Sequence, residues 1–203
     1  MIKKLQALKA KKGFTLVELV VVIAIIGVLA AILVPTMIGV VQDSNITSAN
    51  TTASQIKTQA TTFLTKADAA KHSIRGTSNG ATDFLKFTVS SSGWANASSS
   101  AVTFGNDTTW KLLGTDKNTH FQAYMADVLR DFKNGYVEIY IKNAAVIGVI
   151  AVPGGVETDI PDALQTNTVW EGTQQINWPT SKAGVGNNSI IVGTAPVIAH
   201  TTA

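Results

Sequence analysis

Residues 13–41, GFTLVELVVVIAIIGVLAAILVPTMIGVV, form a long apolar segment with one charged side chain, Glu18. The 23 residues from Leu19 to Val41 carry no charge. As an α-helix they extend about 35 Å at roughly 1.5 Å per residue, which spans a hydrocarbon core of about 30 Å. The segment is too long for the core of an ordinary secretory signal peptide. The sequence therefore predicts a single membrane-spanning helix near the N-terminus.

The charges that flank this segment predict its orientation. Residues 1–13 contain no acidic side chain and five basic ones, namely Lys3, Lys4, Lys9, Lys11 and Lys12. Without those five lysines, the 16 basic residues of the chain fall to 11 against 13 acidic ones, and the net charge of +3 becomes −2 for residues 14–203. Positively charged flanks remain in the cytoplasm. We therefore expect the N-terminus in the cytoplasm and the remainder outside, and we predict no direct nucleic-acid site.

The composition and the scattered polar residues exclude several classes of site. The absence of cysteine excludes a disulfide scaffold, a cysteine-ligated zinc site and a cysteine nucleophile. His72, His120 and His200 have no His, Asp or Glu at metal-ligand spacing. Asp159 and Asp162 give an incomplete calcium pattern, which we interpret as a solvated turn. We therefore predict no metal, no cofactor and no enzymatic activity.

Glu18 is the anomalous residue of the apolar segment. A carboxylate near the lipid core costs roughly 2–3 kcal/mol, so it is expected to find a cationic partner. One interpretation places Glu18 at the membrane interface, where it reaches water beside Lys11 and Lys12. The alternative gives the carboxylate a specific partner, and the residues around it favour that alternative.

Residues 13–35 resemble the processing site of type IV prepilins and their relatives in order, spacing and apolar context. The resemblance implies that a membrane aspartyl peptidase cleaves the chain between Gly13 and Phe14 on the cytoplasmic side. It also implies that Phe14 becomes N-methylated and that Glu18 attracts the N-terminal amine of a neighbouring subunit during assembly. Because cleavage creates this cation, Glu18 gains a partner only after processing. Such pairing between staggered subunits sets axial register.

Gly27 and Pro35 also match the family pattern. Pro35 cannot donate a hydrogen bond to the carbonyl of Ala31, so we expect a kink there. Glycine is a weak helix former, and the resemblance implies that the helix loosens between Gly27 and Pro35 when subunits pack. Alternatively, Gly27 and Ala31 form a small-residue contact between helices.

Beyond Asp43 the sequence is polar but keeps a helical period. Apolar residues recur at alternating intervals of three and four, at Ile46, Ala49, Ala53, Ile56, Ala60, Phe63 and Ala67. This pattern predicts a continuous helix from Phe14 to about Lys71, whose second half docks on a globular domain. We divide the chain into a cytoplasmic leader (1–13), a transmembrane and polymerisation helix (14–42), its amphipathic continuation (43–75) and an extracellular globular domain (76–203).

The globular part is predicted to be a small antiparallel sheet. Residues 76–117 indicate a long connection with short strands, and capping-box spacing at 119–122 predicts a short helix that closes at Asn134-Gly135. Residues 136–142 and 145–152 predict the central hairpin, with Val137, Ile139 and Ile141 on one face. We also expect late strands at 189–192 and 196–198. The fold class is α+β and resembles the type IV pilin fold, with a long N-terminal helix packed on the sheet.

The resemblance implies a structural subunit that polymerises through its N-terminal helix into a type IV pilus for adhesion, motility or DNA uptake. Its partners would be other copies of the chain in a helical filament, the prepilin peptidase, an assembly platform and, before assembly, the membrane. One alternative is a pseudopilin of a type II secretion or competence system. A less favoured alternative is a membrane-anchored carbohydrate-binding adhesin, which requires exposed neighbours among four tryptophans that we otherwise place in the core, namely Trp94, Trp110, Trp170 and Trp178.

Overall fold

The structure is a computed structural model that describes residues 14–69, 74–75, 82–99, 103–104, 121–143, 145–161, 164, 170 and 191–198. The chain divides into two compact units, residues 1–43 and residues 44–203. The leader, the three histidines and the predicted helix end near Lys71 lie outside the described residues.

The N-terminal helix α1 runs over Leu16–Ala69, a length of 54 residues, which confirms the predicted long helix. The apolar stripe that predicted its second half faces the core. Ile46 is half-buried, and the six other members of the stripe are buried, namely Ala49, Ala53, Ile56, Ala60, Phe63 and Ala67. The polar face is rich in Thr, Ser and Asn, which are weak helix formers, so packing of the opposite stripe stabilises this half of the helix.

The sheet of the second unit has five antiparallel strands in the order β3-β2-β5-β6-β7. The strands are β2 (Thr82–Ser90), β3 (Gly93–Ser99), β5 (Gly135–Lys142), β6 (Ala145–Pro153) and β7 (Gly193–Ala195). A separate pair joins β1 (Ile74–Arg75) to β4 (Thr103–Phe104). The predicted hairpin is confirmed as β5 and β6. Asn143 adopts a φ of 50° in the turn between them, a conformation that asparagine tolerates.

The expectation of only short strands in residues 76–117 is wrong for β2. This strand is nine residues long and pairs with β5 from Thr82 to Val89. Leu85, Phe87 and Val89 are buried on its inner face. Alternation of these side chains is what places a long strand here, although serine- and asparagine-rich sequence surrounds it.

The helix α2 is shorter than predicted, because it covers Phe121–Val128 and does not extend to Asn134. The amide of Leu129 still donates to the carbonyl of Met125, and the amide of Phe132 then donates to Leu129 in a turn. The ring of Phe132 lies 6.1 Å from that of Trp94. This packing redirects residues 129–134 into β5 before another helical turn can form.

The late strand lies between the two that the sequence predicts. Residues 193–195 form β7, whereas residues 196–198 are not a strand. Pro196 has no backbone N–H, so it cannot extend the hydrogen-bond ladder with β6. Residues 189 and 190 lie outside the described part of the chain.

Both faces of the sheet are covered. The inner cluster lies between α1, α2 and the sheet, and includes Phe63, Phe87, Trp94 and Ile139. The outer cluster consists of Tyr136, Tyr140, Ile150, Val152, Ile160, Leu164, Trp170 and Val192. The predicted inward face of β5 is confirmed, while the burial of its other face, with Glu138 at 0% exposure, was not evident from the alternation.

Two expectations about polar and aromatic residues are resolved by this packing. Trp94 and Trp170 are each only 7% exposed, so they belong to the core and cannot form an exposed stacking platform. Trp110 and Trp178 lie outside the described residues.

Asp159 is buried and accepts a hydrogen bond from the amide of Val156 at 2.8 Å, so the solvated turn predicted there is wrong. Its partner in that interpretation, Asp162, is outside the described residues.

Candidate functional site: the N-terminal assembly segment

The candidate site is the assembly segment, which we define as residues 14–41. It begins with Phe14, which lies outside the helix, two residues before it starts at Leu16, and is 84% exposed. The other side of the predicted scissile bond, Gly13, lies outside the described residues.

Glu18 closes a capping box with Thr15 at the start of α1. The Oε2 atom of Glu18 accepts hydrogen bonds from both the backbone amide and the hydroxyl of Thr15, each at 2.8 Å. In return, the amide of Glu18 donates to the Thr15 hydroxyl oxygen at 3.2 Å. The arrangement satisfies amide groups that the first turn of a helix leaves without intrahelical partners.

This role of Glu18 was missed by the sequence analysis, although Thr15-Leu16-Val17-Glu18 has the T-x-x-E spacing that predicts it. The capping bonds both use Oε2, and neither uses Oε1. The carboxylate can therefore orient the start of its own helix and accept a hydrogen bond from a cation at the same time. Lys11 and Lys12, the alternative partners considered above, lie outside the described residues.

The rest of the assembly segment is an apolar surface. Within it, an 18-residue window reaches a mean hydropathy of 3.1, and no part of that window is buried in the chain. Its large hydrophobic side chains are between 48% and 77% exposed. By length and composition this helix can cross a membrane. An exposed apolar surface of this length is not stable in water, so it needs lipid or other protein as cover.

Gly27 and Pro35 lie in this helix, which is assigned as continuous through both. A Cβ atom added to Gly27 would meet no atom within 4 Å, so packing inside the chain does not require glycine there. The missing N–H of Pro35 removes one helical hydrogen bond, and the nearby Thr36 hydroxyl donates to the carbonyl of Leu33 at 2.9 Å. Loosening of the helix between the two residues stays a prediction.

Comparison with known proteins finds sequence similarity in this segment. A family model for the prokaryotic N-terminal methylation motif matches residues 8–34. Residues 8–34 therefore carry this methylation motif. A fimbrial protein of Pseudomonas aeruginosa is 47% identical over 53 residues, which cover 26% of this chain and 34% of that protein. A fimbrial protein of Moraxella nonliquefaciens is 46% identical over 55 residues, which cover 27% of this chain and 36% of that protein.

The similarity to these fimbrial proteins is confined to part of each protein. The chain matches only about a third of the length of these relatives, and no solved structure matches it. The fold described above, a long N-terminal helix whose second half packs on a small antiparallel sheet, is a pilin-like α+β arrangement. In the described part of the chain, no group of three or more His, Cys, Asp or Glu side chains is placed to hold a metal ion.

Proposed function

We propose that this chain is a structural subunit that is cleaved between Gly13 and Phe14, N-methylated at Phe14, and polymerised through its assembly segment into a type IV pilus. The observation that supports this most strongly is the combination of a matched methylation motif with an exposed apolar helix that starts at a capped carboxylate. A membrane covers the apolar surface before assembly, with the N-terminus in the cytoplasm. Other copies of the helix cover it in the filament.

The chemistry of Glu18 gives the assembly its register. Cleavage creates a positively charged amine at Phe14, which is absent from the precursor. In a water-poor bundle of helices an unpaired carboxylate is costly and a paired one is tolerated. An incoming subunit is therefore stabilised where its Phe14 amine meets the Glu18 carboxylate of a neighbour, and shifts along the filament axis lose that pair.

Two substitutions separate the charge of Glu18 from its capping role. Glutamine can take the place of glutamate in a capping box, so Glu18→Gln keeps the helix start and removes the charge. Thr15→Ala keeps the charge and removes the cap, at a cost of about 1 kcal/mol to the helix. Both are expressed in the natural host, and sheared surface filaments are quantified by immunoblot beside the total processed subunit.

We expect Glu18→Gln to be processed normally but to give few or no surface filaments, and Thr15→Ala to give a partial loss that Thr15→Ser restores. Normal filament yield from Glu18→Gln would contradict the pairing role. Processed wild-type subunit that remains in the cell envelope, with none in the sheared fraction, would favour a pseudopilin.

A further inference from the structure

The outer face of the sheet contains a buried charge cluster that the proposed function does not use. Lys86 on β2 and Glu138 on β5 are direct cross-strand partners, and the Nζ atom of Lys86 lies 3.0 Å from Oε1 of Glu138. The side chain of Glu138 is fully buried, and that of Lys86 is 16% exposed. The other carboxylate oxygen of Glu138 accepts a hydrogen bond from the Tyr140 hydroxyl at 2.5 Å.

A second carboxylate reaches the same ammonium from outside the sheet. Glu157 belongs to a single 3-10 turn, Glu157–Asp159, that follows β6. Its Oε1 atom lies 2.5 Å from Nζ of Lys86, and its side chain is 47% exposed. One lysine therefore joins two strands of the sheet to the segment that leaves the sheet.

That segment, which we call the strap (residues 154–161 with Leu164), covers the outer cluster. Ile160 and Leu164 are 2% and 0% exposed and pack with the tyrosines and Trp170 of the outer face. Hydrogen bonds within the strap fold it on itself, as in the donation from the Ile160 amide to the Glu157 carbonyl at 3.0 Å. Because the chain has no cysteine, no disulfide can fasten the strap.

We propose that Lys86, Glu138 and Glu157 form an electrostatic latch that holds the strap closed over the outer aromatic face, and that Glu157 is the part of the latch that opens. The two carboxylates differ in what their release costs. Glu138 is buried, so separating it from Lys86 leaves an uncompensated charge inside the protein. Glu157 is half exposed, so water can solvate it as soon as it leaves the ammonium.

Opening at Glu157 leaves the Lys86–Glu138 pair and the strand pairing of β2 with β5 in place. It uncovers Tyr136, Tyr140 and Trp170, whose ring is stacked on Tyr140 with 5.2 Å between centroids. The aromatic surface can therefore become exposed locally while the sheet stays folded. Such local opening is a general property of elements that few contacts hold.

Hydrogen–deuterium exchange of the full-length chain in detergent micelles tests the latch. In Glu157→Gln we expect the amides of residues 154–160 to exchange about threefold to tenfold faster than in the wild type, with α1 and β2 unchanged. The matched control is Asp127→Asn, which removes the exposed ion pair between Asp127 and Arg130 and should leave the strap unchanged. In Glu138→Gln we expect faster exchange in β2 and β5 as well as in the strap.

Two results would overturn the proposal. Equal exchange of the strap in Glu157→Gln and wild type would mean that Ile160 and Leu164 hold it without the ion pair. Uniformly faster exchange of the whole second unit in Glu157→Gln would mean that the pair stabilises the fold and does not act as a latch.

Discussion

At the scale of single residues, Gly193 shows how closely the last strand approaches the long helix. A Cβ atom added to Gly193 would lie 2.1 Å from the carbonyl oxygen of Ala49. The next residue, Thr194, donates its amide to the side-chain oxygen of Asn50 at 2.8 Å. The backbone of β7 therefore rests directly on the backbone of α1, and only glycine permits this contact.

Gly193→Ala is expected to lower the free energy of unfolding by about 1–3 kcal/mol, because the helix and β7 must move apart to admit the methyl group. Gly27→Ala is the matched control, since its added methyl group meets no atom within 4 Å and alanine favours the helix. Thermal unfolding of the full-length chain in detergent, followed by circular dichroism, compares the two. Equal midpoints for both variants would contradict the close contact.

At the scale of elements, β5 shows what periodicity can and cannot predict. The alternation of Val137, Ile139 and Ile141 correctly identified the face that packs on the helix. The same alternation could not show that Tyr136, Glu138 and Tyr140 are also buried, because their cover comes from residues that have no period of their own. Ile160, Leu164 and Trp170 are scattered through sequence rich in glycine, proline and asparagine.

The buried outer face predicts a specific alkaline limit to stability. Burial, together with the negative charge of Glu138, raises the pKa of Tyr136 and Tyr140 above the ordinary value. Burial alone opposes the charged form of Lys86, but hydrogen bonds and charge from Glu157 and Glu138 outweigh it and raise the pKa of Lys86. Groups whose pKa is raised by folding stabilise the fold below their unfolded pKa, and this stabilisation is lost as the pH rises.

We therefore expect the free energy of unfolding to be nearly constant from neutral pH to about pH 10, where unfolded tyrosine and lysine begin to titrate, and to fall above it. Ultraviolet absorbance of tyrosinate, recorded in parallel with circular dichroism, should show the two buried tyrosines ionising only as the second unit unfolds. Tyr136→Phe should reduce the slope with which the free energy of unfolding decreases above pH 10 by about 1.4 kcal/mol per pH unit. Ionisation of both tyrosines in the folded protein would contradict this account.

Across the whole molecule, the sequence predicted the helix α1 better than the globular part. The uncharged segment and the 3–4 periodicity were sufficient to place α1, because both patterns are written in the residues of the helix itself. Glu18 illustrates the limit of what the sequence of one chain can predict. Its capping box with Thr15 is local and could have been found in the sequence, whereas the proposed cationic partner belongs to another copy of the chain. The surface that covers the exposed side chains of residues 16–41 likewise lies outside the single chain in our proposal, so the sequence does not contain it.

In our proposal, this pilin-like chain becomes a filament subunit through a processed N-terminus. The most direct measurement is mass spectrometry of the N-terminus of this protein in filaments sheared from intact cells of its natural host. We expect an abundant chain that begins at N-methylated Phe14. A chain in the sheared filaments that still begins at Met1, cleavage at another bond, or absence of the chain from the filaments would contradict it.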